Sequence, residues 1–292
     1  MTRTAPLPPG ALLDGHVHLW DPGRRRHDWL AQAPQVLRRR YDLEDYAAVS
    51  APHGVQAALV VQALADEGES EDLLGLAERA DLIAGVVGWV ELASPGVDEA
   101  IGALRRRPGG AALVGIRHLV QSEPDPGFLA RPEVVRGLRA VAAAGLVYDL
   151  LVRPPQLPAA LAAVDAVEDG RFVLDHGGKP AIADAQLEPW ASLIGELSAR
   201  PHVVCKLSGL ASEAGQGWTP GRIAPYVERL LETFGPQRLC FGSDWPVCLP
   251  EAGYDQVVGL ARSLLEPHTS AAERRQIFAG TAVRTYRLAL EV

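Results

Sequence analysis

The chain has 292 residues, 48% hydrophobic and 22% charged, enough to build a core without disulfide or metal staples. Lys and Arg number 28 against 36 Asp and Glu, and the net charge of −8 argues against nucleic acid or an anionic membrane as partner. No apolar run approaches the roughly 18 residues of a membrane span, the prolines near the start break any signal-peptide core, and the odd set Cys205, Cys240 and Cys248 supports neither a disulfide framework nor a zinc ribbon, so the cytosol is the expected compartment.

Short aliphatic runs recur in chain order: Ala11–His18, Val55–Gln62, Ile83–Val90, Ala112–Val120, Leu146–Val152, Phe172–His176, Val203–Ser208 and Arg238–Asp244. After the first, they start about 26 to 35 residues apart, the size of one βα unit. Their near-continuous apolar character suits strands covered outside by helices and packed inside against one another. Helices are predicted between them. Pro132 opens one that Gly145 closes, and Ser270-Ala-Ala-Glu273 is a capping box for another. The stretch between His18 and Val55 reads as the longest irregular one, hence as a functional loop. No linker divides residues 1–292, so the pattern predicts one α/β domain, a single (β/α)8 barrel. An open doubly wound sheet lacks the Gly-x-Gly-x-x-Gly expected after its first strand.

In such a barrel the site lies at the C-terminal ends of the strands. The first run ends His16-Val17-His18, two imidazoles on one face of a strand, suited to a divalent metal or to proton transfer. His176 ends the sixth run ahead of two glycines that permit close approach of a ligand. Asp244 ends the eighth run, which closes against the first. Arg117 and His118 end the fourth, and while the strand continues only one of them can face inward. Arginine is the better holder of a substrate oxygen, although pairing with Asp149 would occupy it. Lys206 is a weaker candidate of the same kind, and His27, Trp29 and Trp245 are candidate pocket walls.

These residues lie in Asp14-Gly-His-Val-His-Leu-Trp20, Gly115-Ile-Arg-His118, Val147-Tyr-Asp149, Leu174-Asp-His-Gly-Gly-Lys-Pro180, Val204-Cys-Lys-Leu-Ser-Gly-Leu210 and Phe241-Gly-Ser-Asp-Trp-Pro-Val-Cys248. Together the segments resemble the amidohydrolase superfamily, in particular its lactone hydrolases of the L-fuconolactonase type. The resemblance implies hydrolysis of a small sugar lactone to its aldonic acid. Asp244, His18 and His176 are then catalytic, and Arg117, His118, Lys206, Trp29, His27 and Trp245 bind substrate. It also implies at most one divalent ion, such as zinc, among His16, His18, His176 and Asp244, or catalysis with no ion. The bridging lysine of dinuclear relatives is missing from the fourth strand, and Leu150-Leu-Val152 supplies no histidine on the fifth. A metal-dependent decarboxylase and a pyrone-dicarboxylate lactonase are the alternatives.

Overall fold

The computed structural model describes residues 5–8 and 10–291. Eight parallel strands follow in chain order round a barrel: β1 Leu12–Val17, β2 Val55–Val61, β3 Ile83–Gly88, β4 Leu113–His118, β5 Val147–Leu150, β6 Arg171–Leu174, β7 Val203–Leu207 and β8 Leu239–Phe241. The ring closes where Val17 bridges Trp245, with the His18 N–H donating to the Trp245 carbonyl at 2.8 Å and the Asp244 N–H to the His16 carbonyl at 2.9 Å. The architecture is the (β/α)8 barrel expected, and each of the eight runs coincides with one strand, the sixth of which starts one residue before its run.

Alternation along the strands sorts side chains into two apolar layers. Leu59, Val61, Val87, Val147 and Val173 fill the barrel interior, together with Tyr286 and Leu288 from the last helix and its continuation. Val17, Val60, Val86, Ile116 and Phe172 point the other way, into the layer shared with the helices. Burying such an aliphatic side chain contributes about 1.5–3 kcal/mol, so both layers bind strands and helices into one body. Near the chain ends, Ala5–Pro6 pairs in parallel with Leu290–Glu291. Among the described residues no helix is long and apolar enough to cross a membrane.

The helix Pro132–Ala143 starts at its proline and ends just before Gly145 at φ 72°, and the Ser270 side chain accepts from the Glu273 N–H. The stretch after β1 is more ordered than its sequence suggested. Asp42 and Asp45 cap one another reciprocally and open a helix over Leu43–Ser50, preceded by two 3-10 turns, Asp28–Ala31 and Gln35–Leu37. The capping pair was the missed signal, because aspartate at both positions satisfies the first free N–H groups as Ser and Glu do elsewhere.

Candidate active site

β1 leaves regular pairing between Asp14 and Val17, where its register against β2 shifts. Gly15 sits at this irregularity because a Cβ there would lie 2.6 Å from the Phe241 carbonyl oxygen. Asp14 turns away from the cavity and is held by the hydroxyls of Tyr46 at 3.1 Å and Tyr254 at 2.9 Å and by the Ser243 N–H at 2.8 Å. His16 and His18 turn inward, with their Nε2 atoms 3.1 Å apart. His18 Nδ1 donates to the Val61 carbonyl at 2.8 Å, which leaves the Nε2 lone pair for the cavity.

Beyond β6 the alternation breaks. His176 adopts a left-handed backbone at φ 52°, followed by Gly177 at 61° and Gly178 at 74°. Asp175 and His176 are adjacent, yet both consequently face the barrel axis. Asp244 is left-handed as well, at φ 58°. Each non-glycine residue in this region costs roughly 1–2 kcal/mol, strain that the surrounding contacts hold in place.

The three imidazoles converge on one oxygen. Asp244 Oδ1 lies 3.6 Å from His18 Nε2, 3.8 Å from His16 Nε2 and 3.9 Å from His176 Nε2. It is buried, yet no group stands within hydrogen-bond distance of it. His176 Nδ1 meets the Ser208 hydroxyl at 2.9 Å. Serine can donate or accept there, so the His176 Nε2 can present either an N–H or a lone pair to the cavity.

A buried charge network supports this cluster from below. Arg117 Nη1 donates to Asp175 at 3.1 Å, and Arg117 Nη2 donates to the Gln62 carbonyl at 2.5 Å. Lys206 Nζ lies 2.5 Å from Asp149, 3.0 Å from Asp175 and 3.2 Å from His16 Nδ1. The Tyr286 hydroxyl donates to the other Asp149 oxygen at 2.7 Å. Burial opposes the charge on Lys206, but Asp149 and Asp175 outweigh it and raise its pKa. Burial also opposes ionisation of Asp175, which Lys206, His16 and Arg117 nevertheless hold well below the usual carboxylate range. Asp149 goes the other way: burial pushes it up to about 6 in spite of Lys206. With Arg117 and Lys206 set against Asp149 and Asp175, the Asp244 charge is left uncompensated. Burial would raise the Asp244 pKa, but the neighbouring imidazoles, His176 foremost, lower it. His176 itself is pushed down by burial to about 4 and is neutral at neutral pH.

Such a carboxylate among imidazole nitrogens fits a divalent cation. The atoms of His16, His176 and Asp244 lie within 4.8 Å of one another, and His18 Nε2 adjoins them. The same hole leaves the Asp244 oxygen free to accept a hydrogen bond from a water molecule.

An open cavity of about 240 Å³ lies above, lined by His18, Arg117, His176 and Asp244 and walled by Trp29, Gln121 and Lys179. The expected residues therefore divide. His16, His18, His176, Asp244 and Arg117 meet in one cluster, and Trp29 stands at the cavity wall. His118 faces outward, stacked on Phe128 at 4.7 Å with Nε2 2.7 Å from Glu123, because strand alternation turns it opposite to Arg117. Lys206 is fully buried beneath His16, out of reach of a substrate. Trp245 packs behind the site against Tyr41 at 5.2 Å and Tyr46 at 5.5 Å. His27 is turned away toward Glu69, in a neighbouring crevice. Asp175, Gln62 and Ser208 were not singled out from sequence. Asp175 was masked by the alternation rule, and the glycine pair after His176 was the available sign that the rule fails there.

Residues 13–288 match the family model described as Amidohydrolase. The chain belongs to the amidohydrolase family. An L-fucono-1,5-lactonase of Burkholderia multivorans is 40% identical to this amidohydrolase, over 96% of the chain and 97% of that protein. An L-fucono-1,5-lactonase of Burkholderia ambifaria is 34% identical over 94% and 95%. A crystal structure of an amidohydrolase from Burkholderia multivorans with bound zinc superposes with a TM-score of 0.88 at 38% identity, covering 95% of this amidohydrolase and 99% of that chain.

Proposed function

We infer that this amidohydrolase opens a small, neutral sugar lactone to its aldonic acid, with Asp244 as the proton carrier. The observation that carries this reading is the ionised Asp244 oxygen, buried and unpartnered beneath an open cavity. The two L-fucono-1,5-lactonases supply the substrate class. Asp244 takes a proton from water as the water oxygen bonds to the lactone carbonyl carbon. The carbonyl electrons move onto oxygen, where the Arg117 charge and its unpartnered Nε–H stabilise them. The intermediate then collapses, the ring C–O bond breaks, and Asp244 returns its proton to the ring oxygen. Neutral His176, with His18 beside it, orients the water.

His16, His176 and Asp244, with His18 beside them, would hold one divalent ion such as zinc, which when bound acidifies water and polarises a carbonyl. Both cations lining the cavity are already engaged, Arg117 by Asp175 and Lys179 by Glu213. That favours a neutral lactone over a pyrone dicarboxylate, whose two carboxylates need spare positive charge. A panel of aldonolactones followed by acid release with a pH indicator tests the reading. Turnover of at least one sugar lactone is expected. Carbon dioxide release from an aromatic acid, with no lactone opened, would reassign the site to a decarboxylase.

A further inference from the structure

His27 stands outside the catalytic cluster, and its surroundings give it another task. It sits on the loop after β1, two residues from Trp29, whose ring centroid lies 6.5 Å from its own and which walls the cavity. His27 Nδ1 lies 2.8 Å from the Arg25 carbonyl, so this nitrogen must carry a hydrogen. Its Nε2 is buried and faces Glu69 Oε1 at 3.7 Å, and neither atom has a hydrogen-bond partner. The other Glu69 oxygen accepts two backbone N–H groups from the exit of β2, Ala63 at 2.9 Å and Leu64 at 2.8 Å. Ala63 lines the lactone cavity. Gln62, just before it, receives Arg117 on its carbonyl at 2.5 Å and donates its side-chain amide to the Arg117 carbonyl at 3.1 Å. One carboxylate thus ties together the loop bearing Trp29, a cavity wall and the seat of Arg117.

We propose that His27 and Glu69 form a proton-dependent clasp, in which Glu69 is the positioning residue for the Trp29 loop and the Arg117 seat. A carboxylate oxygen only accepts, so attraction across the pair requires His27 to carry hydrogens on both nitrogens. When the ring loses the Nε2 proton, two lone pairs face one another in a buried site and the clasp opens. The charged groups around the ring are Asp21 and Arg25 on its own loop and Asp66, Glu69 and Asp72 on the facing helix Glu67–Ala77 and its cap. Asp72 is held by Arg24 and Arg25, and Asp66 faces Arg25 at 3.4 Å; of the two carboxylates remaining, Glu69 acts on the ring more strongly than Asp21. Burial opposes protonation of His27, but Glu69 and the Arg25 carbonyl outweigh it and raise its pKa above the ordinary imidazole value.

The inference rests on reading the central cavity as the lactone site, and the test separates the two. In the native enzyme, KM for an accepted sugar lactone should rise roughly tenfold as pH is raised through the His27 titration and the Trp29 wall loosens, with a smaller fall in kcat through the Arg117 seat. Glu69→Gln keeps an oxygen for Ala63 and Leu64 and offers an NH2 to neutral His27, so its KM should stay low and flat with pH. Glu69→Ala removes both arms and should show a raised KM at every pH, with faster hydrogen exchange at the Ala63 and Leu64 amides. NMR titration of the His27 ring should give a pKa above the ordinary value in the native protein and a lower one in Glu69→Gln. A Glu69→Gln enzyme with the native pH dependence of KM, or an unmoved His27 titration, would overturn the clasp. If no form opens a lactone, the lactone reading fails, and the His27 titration and amide exchange still decide the clasp.

Discussion

In the proposed reaction Asp244 carries the proton. Asparagine keeps its shape but cannot take a proton, so Asp244→Asn should lower kcat by at least about 10²-fold while circular dichroism stays native. A folded Asn variant with native kcat would move the base elsewhere. Metal content belongs to the same residue. With no lysine at the end of β4, elemental analysis of active enzyme should find no more than one tightly held ion per chain. The neutrality of His176 carries a pH signature. Its folded pKa of about 4 lies below the ordinary 6.5. The unfolded chain therefore binds a proton between these values where the folded chain does not. Stability present above pH 6.5 is lost as pH falls toward 4, by about 3 kcal/mol from this group. The urea midpoint should fall over that interval, and the portion due to His176 should vanish in His176→Asn.

At the scale of elements, the eight strands and the ends that bear chemistry were legible in the sequence. Buried parallel strands are aliphatic throughout, and polar residues at their ends stand out against that background. Where the backbone leaves the regular strand, legibility failed. Period-two reasoning separates Arg117 from His118 but cannot seat Asp175 and His176 together, because a left-handed residue has no signature beyond the glycines after it. Proximity in sequence to Trp29 made His27 look like a cavity residue, although the intervening 3-10 turn points it at another helix. Gly209, after β7, shows how tightly these exits are built. At φ 65°, a Cβ there would lie 2.8 Å from His176 Nδ1. Gly209→Ala should therefore destabilise by about 1–3 kcal/mol through backbone strain. It should also lower kcat by tenfold or more by displacing the ring. Native kcat in a folded Gly209→Ala enzyme would show that the His176 position is not critical.

For the whole molecule, the network from Arg117 to Tyr286 joins the cavity to the last helix through the barrel interior. Lys206→Met strands Asp149 and Asp175 without their shared cation, and a loss of about 3–5 kcal/mol is expected on chemical denaturation. Adding Asp149→Asn should recover part of it, and a double-mutant cycle that is simply additive would show the pair uncoupled. The closing of the barrel has a consequence for biosynthesis. The first histidines of the cluster leave the ribosome with β1, but their partners follow late: Asp175 and His176 past mid-chain, Lys206 later, Asp244 on the closing turn and Tyr286 on the final helix. A growing chain that has made β5 and β6 but not β7 holds Asp149 and Asp175 with only Arg117, on Asp175, against them, and lacks the Lys206 that they share. Those strands cannot bury their inner face early at low cost. The nascent protein should stay open and chaperone-accessible until its last fifth emerges, and become an enzyme in one late step.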